Sequence, residues 1–210
     1  MREYSGKWDE HYRASGGAEV AVDDWLAGHL AELGKPENWP VIDLGCGLGN
    51  NTRYLDERGI PTVACDYSEV ALEAVRRRFP RAETRHLDLR DGLPFADATV
   101  RLCIADLSLH YFDWPTSLFI LGEIRRVLVP GGRLYCRVNS TRDHNHGAGV
   151  GEEIEHNFFA GPAGHKRFFD RPMIDALFGA VFILHACEEK TMQRYEKEKW
   201  LWEFEAEKSA

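Results

Sequence analysis

Apolar residues along the chain fall in two rhythms, short continuous runs and stretches spaced three and four apart. Val41-Ile42-Asp43-Leu44, Pro61-Thr62-Val63-Ala64-Cys65-Asp66 and Thr99 to Leu109 are runs with the length and β-branched content of strands buried on both faces. Between them, Asn51 to Arg58 reads as a helix stopped by Gly59. The next helix is capped by Ser68, and Arg76, Arg77 and Arg78 complement its carboxyl-terminal dipole before Pro80. Ala82 to Asp88 is a third strand, less apolar and so nearer an edge. Pro115 opens a helix carrying Leu118, Leu121, Ile124 and Leu128; Pro130-Gly131-Gly132 is a turn, and Arg133 to Val138 a fifth strand. Asp170-Arg171-Pro172 starts a last helix through Phe178, closed by Gly179, and Val181 to Cys187 and Trp200 to Phe204 finish the chain as strands. This alternation predicts an α/β, doubly wound, mostly parallel sheet.

Two segments stand outside that rhythm. At the start, Tyr4, Trp8 and Tyr12 are spaced by four, which places them on one helical face, either as an apolar clip or as an aromatic lid over a cationic ligand. From Gly17 to Leu33, the positions Val22, Trp25, Leu26, Leu30 and Leu33 predict an amphipathic helix ended by Gly34 and Pro36. Residues 139 to 170 are glycine-rich and hold His144, His146, His156 and His165, a loop-rich insert of functional length. Residues 1–210 are therefore expected to form a single domain, with a lid and helix over 1–37 and a substrate-side insert over 139–170.

Composition narrows the function. With 210 residues, 44% hydrophobic and 29% charged, the chain can bury one sizeable core. Its formal net charge of -8 offers no field to a phosphate backbone, so nucleic acid is not expected as a partner. Cys46, Cys65, Cys103, Cys136 and Cys187 are widely spaced, four of them in apolar runs, as buried reduced thiols would be. Residues 1–8 lack the apolar centre of a signal peptide and no stretch has the length to span a bilayer, which places the expected protein in the cytoplasm.

The chemistry centres on Asp43-Leu44-Gly45-Cys46-Gly47-Leu48-Gly49, a glycine loop at the carboxyl end of the first strand, where open α/β sheets bind ligands. Glycines let a ligand approach the main chain without meeting a Cβ. Asp43, Asp66 and Asp88 end three successive strands and so share one sheet edge. Asp66 lies 17 residues beyond Gly49, close to the roughly 20 at which an acid meets ribose hydroxyls, and an adenosine ligand follows. The spacing is Gly-x-Gly-x-Gly rather than the pyrophosphate pattern Gly-x-Gly-x-x-Gly, and Asp43 suits an amino or sulfonium cation; both disfavour a nicotinamide oxidoreductase.

With Cys65-Asp66-Tyr67-Ser68, Leu87-Asp88-Leu89 and Leu128-Val129-Pro130-Gly131-Gly132-Arg133-Leu134, this loop resembles the class I S-adenosylmethionine-dependent methyltransferases over about residues 38 to 138. Ile104-Ala105-Asp106-Leu107-Ser108-Leu109-His110-Tyr111-Phe112 is most similar to their small-molecule branch, the tellurite-resistance-like and methyltransferase-11-type enzymes. Arg101 departs from the family, many of whose members have an acid there. The resemblance implies a Rossmann-like sheet of seven strands, helices on both faces, an antiparallel last strand and S-adenosylmethionine as cofactor. It implies that Gly45, Cys46, Gly47 and Gly49 pass along the methionine part, with Asp66 on the ribose hydroxyls and Tyr67 beside the adenine. Asp88 would accept from the adenine amino group, the Leu89 N–H would lie next to the ring, and Asp106 would face the cofactor's amino group or the transferred methyl.

Direct displacement at an activated methyl needs positioning and exclusion of water above all. Should the acceptor lose a proton, His110 is the candidate base, on an unshifted pKa near neutrality. Trp8, Tyr12, Tyr111, His144 and His146 are the candidate acceptor contacts, with Phe158, Phe159, Phe168 and Phe169 shaping the pocket. The histidine spacing matches no recognised metal site, and none is expected. Asn-Pro-Pro-Tyr, a Pro-Cys nucleophile and a basic stripe are all missing, so a small acceptor is expected. A non-catalytic module binding the same cofactor is the alternative.

Overall fold

The computed structural model describes residues 5–14, 23–161 and 164–209. Tyr4 and the 17–22 start of the expected amphipathic helix lie outside the described residues. Helix α1 (Ser5–Ala14) precedes a 3-10 turn (Trp25–His29) that runs into the short α2 (Leu30–Leu33). Then come β1 (Val41–Leu44), α3 (Asn50–Asp56), β2 (Thr62–Asp66), α4 (Glu69–Arg78), β3 (Glu83–His86), β4 (Val100–Asp106), α5 (Trp114–Val127) and β5 (Leu128–Asn139). After the small strands β6 (Glu152–Glu155), β7 (Phe158–Gly161) and β8 (Gly164–Arg167), helix α6 (Arg171–Leu177) leads to β9 (Ile183–Met192) and β10 (Lys199–Glu207).

The main sheet has seven strands in the order β3-β2-β1-β4-β5-β10-β9. Pairing is parallel from β3 to β5, and β10 runs antiparallel to both β5 and β9. This is the Rossmann-like, doubly wound sheet expected of the sequence. Strand β1 and β2 are buried throughout while β3, the predicted edge, has no buried residue, which explains why its run was the least apolar of the three.

Alternation along the strands separates two helical layers. Ile42, Leu44, Val63, Cys65, Cys103, Ala105, Leu134, Cys136 and Val138 pack with α5 and α6 around Ile120, Ile124, Ile174 and Phe178. Val41, Leu102, Ile104 and Tyr135 face the other way, onto Leu26, Leu33, Tyr54 and Leu55, while Ala64 meets Leu72, Val75 and Phe79 of the α4 region. Asp43, Asp106 and Arg137 share the parity of this second layer, which fixes the partners they meet.

Four expectations change. The segment before Leu33 is mostly 3-10 rather than one helix. Pro130-Gly131-Gly132 does not separate helix from strand: β5 starts at Leu128, which pairs Val100, and the glycines absorb a bulge before Arg133 pairs Leu102. Strands β6, β7 and β8 of the insert form an antiparallel three-stranded sheet in the order β6-β7-β8. Its Phe169 flank belongs to the core, edge-on to Phe178, which in turn meets Phe204, so Phe169 does not shape a pocket. Cys46, Cys65, Cys103 and Cys136 are buried free thiols and Cys187 is a partly buried one.

Candidate functional site

The glycine loop leaves β1 and enters α3 with Gly45, Gly47 and Gly49 all at positive φ (+73°, +52° and +91°). A Cβ at Gly45 would lie 2.4 Å from the Cβ of Ser108, and one at Gly49 would lie 2.8 Å from the Phe79 ring. These positions therefore exclude side chains both by conformation and by space. Cys46 is buried within the loop, and burial pushes its thiol well up, so it contributes shape rather than a thiolate. Ser108 donates from Oγ to the Leu44 carbonyl at 2.8 Å, tying the turn after β4 to the loop.

Asp66, at the end of β2, accepts the Gly47 N–H on Oδ2 and the Ser68 N–H on Oδ1, both at 2.8 Å. Burial pushes this carboxyl up and the backbone donors of Ser68 and Gly47 pull it back. Asp43 is placed differently from the crevice-lining acid facing a cationic ligand that the sequence suggested. It is wholly buried beneath the loop, taking Thr52 Oγ1 at 3.0 Å and Asn51 Nδ2 at 3.4 Å from the first turn of α3, while Trp25 Nε1 donates to Asn51 Oδ1 at 2.9 Å.

Burial pushes the Asp43 carboxyl up to about 7, against the pull of Thr52 and Asn51. The folded value lies above the ordinary 3.8, so the folded state holds a proton that the unfolded chain has released. The contribution of this group to stability is complete below the ordinary value and is lost as the pH rises through about 7. Asp43→Asn is expected to remove that loss: relative to wild type, the variant gains stability as the pH rises from about 4 to about 7 in urea melts. Parallel pH profiles for the two proteins would take Asp43 out of the titration.

Helix α1 roofs the loop. The Tyr12 hydroxyl stands 3.0 Å from where a Gly47 Cβ would be, and the Asp66 charge, after burial, raises the Tyr12 phenol. Trp8 stacks on Tyr12 at 5.9 Å and meets Tyr111 edge-on at 5.0 Å, and Asp9 accepts from the Ser68 hydroxyl. The four-residue spacing of Trp8 and Tyr12 thus places both on the face turned to the site. At the far end, Tyr67 stacks with His86 at 6.0 Å under the Arg90 guanidinium, and Asp88 takes the Arg90 Nε and Nη2 at 2.6–3.0 Å together with its N–H. Burial pushes Asp88 up, but its hydrogen bonds to Arg90 outweigh this and hold it below the ordinary range. Leu89 follows as a buried residue.

Asp106 and Arg137 are direct register partners on β4 and β5. The guanidinium lies flat on the carboxylate with two contacts of 2.8 Å, Arg194 adds a third of 2.8 Å, and Asp23 receives both arginines at 3.0 Å. Burial alone would raise Asp106; the Arg137 and Arg194 charges reverse it and hold the carboxyl far below the ordinary range. Asp106 therefore faces two arginines, not an open amino-group site. The sequence reading missed Asp23, Arg137 and Arg194; an arginine inside the apolar run of β5 was the one available signal.

His110 sits in a 3-10 turn (Leu109–Tyr111), 2% exposed, tilted against Tyr111 at 4.2 Å, and its Nδ1 has no hydrogen-bond partner among the described residues. Burial, then the charges of Lys199 and Lys166, lower its pKa well below the ordinary value, which corrects the unshifted value assumed from sequence. The ring is neutral at physiological pH. His146 Nδ1 lies 2.7 Å from Asp143 Oδ1 and its ring faces Tyr195, whereas His144 turns back to the Ala148 carbonyl at 3.4 Å. Among the described residues, His185, Glu205 and Glu207 form a cluster of ligand-like spacing, but Arg133 already holds Glu205 at 2.9 Å.

Residues 41–132 match the family model described as a methyltransferase domain. The chain is 32% identical over 116 residues to a trans-aconitate 2-methyltransferase of Acidovorax sp. (strain JS42), covering 54% of this chain and 43% of that protein. It is 30% identical over 121 residues to a demethylmenaquinone methyltransferase of Lactococcus lactis, covering 54% and 47%. The chain spans under half the length of these curated relatives. In fold it is similar to Burkholderia thailandensis 1,6-didemethyltoxoflavin-N1-methyltransferase, solved with bound 1,6-didemethyltoxoflavin and S-adenosylhomocysteine, with a TM-score of 0.71, 20% identity and coverage of 100% and 90%. No helix among the described residues is long and apolar enough to cross a membrane.

Proposed function

We propose that this chain, which carries the methyltransferase domain of the class I S-adenosylmethionine-dependent family, transfers a methyl group from S-adenosylmethionine to a small-molecule acceptor by in-line displacement. The observation that carries the proposal is the loop itself: three glycines at positive φ, bare of Cβ atoms, with Asp66 bound to the Gly47 N–H and Tyr12 roofing the whole. A cradle with no side chains beside a buried carboxylate fits a ligand that lays its amino-acid part on backbone and its ribose diol on an acid.

In this reading Gly45, Cys46, Gly47 and Gly49 hold the methionine part, Asp66 the ribose hydroxyls, and Tyr67, Asp88 and the Leu89 N–H the adenine end. Asp43 fixes α3 beneath the loop through Thr52 and Asn51, and Asp106 supports the acceptor side through its arginines. The cofactor, when bound, supplies a methyl carbon activated by a positive sulfur. Trp8, Tyr12 and Tyr111 exclude water from that space. His110, neutral and with a free Nδ1, takes the proton of an acceptor that must lose one. His146, held by Asp143, and His144 line the acceptor side. The whole chain acts as one domain in the cytoplasm, with 1–37 as lid and 139–170 as acceptor wall.

Calorimetric titration with S-adenosylhomocysteine and, in parallel, with NAD tests the cofactor. Micromolar binding of the first and none of the second is expected, followed by methyl transfer from labelled cofactor to a small acceptor. The reverse binding pattern would replace this proposal with a dinucleotide enzyme, and binding without transfer to any acceptor would favour a non-catalytic module.

A further inference from the structure

The sheet face that packs on Leu26 and Leu33 continues past β5 into a group of imidazoles and carboxylates that methyl transfer does not use. Glu205 of β10 pairs Tyr135 of β5, and Glu207 pairs Arg133, so both glutamates stand on this one face, two positions apart. On the other side of β10, Glu205 pairs His185. That pairing depends on a bulge. Glu203 meets Glu188 while Glu205 meets His185, so β9 carries one extra residue between the two pairs, and Ala186 takes a φ of +45° there. Without the extra residue Ala186 would stand opposite Glu205, and His185 would turn to the other face. From the amino-terminal side, His29 ends the 3-10 turn before α2 and stacks on the Tyr135 ring at 4.0 Å, which hangs it over the same spot.

Four donor groups thus converge. His29 Nδ1 lies 3.6 Å from Glu205 Oε2, His185 Nε2 lies 3.3 Å from Glu207 Oε2, and ligand atoms of His185, Glu205 and Glu207 are all within 4.8 Å of one another. Bonds of about 2.0–2.2 Å to a tetrahedral zinc ion set ligand atoms roughly 3.4 Å apart, so the two short separations already match. The longer one closes by a turn of His185, the most exposed of the four side chains. Arg133 does not fill the place: it holds Oε1 of Glu205 at 2.9 Å and stands 3.8 Å from Glu207, which leaves Oε2 of Glu205 facing His29. Lys190 is engaged by Glu188 and Glu203 on the same face. These four glutamates therefore meet two cations, and the excess of two negative charges equals the charge of one divalent ion. The imidazoles decide which ion, because nitrogen donors suit zinc and not magnesium or calcium.

We propose that His29, His185, Glu205 and Glu207 form a zinc site that fastens the 3-10 turn before α2 to the β9-β10 ribbon. The same turn carries Trp25, which bonds Asn51 beneath the glycine loop, so the ion steadies one support of that loop from outside it. The site stands independently of the methyl-transfer reading.

The test uses the full chain, free of any tag, stripped with EDTA and titrated in a calorimeter with Zn2+. One equivalent is expected to bind with micromolar affinity in the presence of excess Mg2+, and Co2+ in its place is expected to give the visible spectrum of a tetrahedral ion. His185→Gln, at an exposed position, and His29→Phe, which keeps a ring on Tyr135, are each expected to weaken Zn2+ binding by about tenfold or more, with unchanged circular dichroism. No Zn2+ binding to wild type, displacement by Mg2+, an octahedral cobalt spectrum, or wild-type affinity in either histidine variant would overturn the site. None of these results touches the methyltransferase proposal, whose own test is S-adenosylhomocysteine binding.

Discussion

Arg137→Met is expected to lower the unfolding free energy by about 3–5 kcal/mol, the largest effect of any single change outside the apolar core. Arg137 is 2% exposed and its guanidinium meets both oxygens of Asp106, reaches Asp23 and lies over the Trp25 ring with 4.4 Å to the centroid. Methionine keeps part of the stem's packing but leaves Asp106, itself buried, with Arg194 alone. The cost is thus that of a half-compensated buried carboxylate rather than of the pair itself. A second substitution separates the two: Asp106→Asn in the Arg137→Met background is expected to recover a good part of the loss, because it removes the stranded charge. Urea melts of the four proteins in the cycle measure the coupling. The pH profile carries a sign as well. Asp106 in wild type is held far below the ordinary carboxylate range, so its stabilisation is present above the unfolded value and is lost only as the pH falls toward the folded one. With Arg137 gone, the folded value rises, so that acid limb is expected to end at higher pH and to be smaller. Four proteins with equal midpoints would show the network to be energetically idle.

The ring of Asp23, Asp106, Arg137 and Arg194 also marks where the sequence stops being legible. Runs and periodicities specify the sheet because burial on both faces of β1, β2 and most of β4 demands largely apolar residues, and Ser68, Asp113 and Asp170 cap their helices. The glycine loop is legible for a related reason: few other residues adopt its φ values, and the space at Gly45 and Gly49 admits no Cβ. Arg194 leaves no such trace. It reaches Asp106 from a connection 88 residues away, and only the antiparallel return of β10 beside β5 brings it there. The insert reads as loop because its strands are only four residues long and carry no alternation, Glu152–Glu155 being mostly acidic, Phe158–Gly161 uncharged and Gly164–Arg167 polar. Asp43 illustrates a subtler limit. Its position at a strand end was clear, but which face it served depended on the parity shared with Val41, and that turned it inward to Thr52 rather than outward to a ligand.

Asp66→Ala, by contrast, is expected to leave the fold largely in place and to weaken S-adenosylhomocysteine binding by about a hundredfold. Two hydrogen bonds from ligand hydroxyls to a buried carboxylate are worth about 1.5–3 kcal/mol each, and one such bond already corresponds to roughly that factor. The loss has a second source. Asp66 Oδ2 holds the Gly47 N–H and Oδ1 the Ser68 N–H, so alanine also frees the centre of the loop and the start of α4. Asp66→Asn distinguishes them, because its amide oxygen can still accept one of these backbone donors while its NH2 replaces an acceptor with a donor. Loop support alone would leave the asparagine variant near wild type; a direct role on the ribose diol places it well below, between wild type and alanine. Calorimetric affinities for S-adenosylhomocysteine, set against adenosine and against 2′-deoxyadenosine, complete the comparison. Wild type is expected to lose affinity when the 2′-hydroxyl is removed, and Asp66→Ala is expected to be nearly indifferent to it. An alanine variant that binds S-adenosylhomocysteine as tightly as wild type would remove Asp66 from the ribose and leave it a purely architectural role beneath Tyr12.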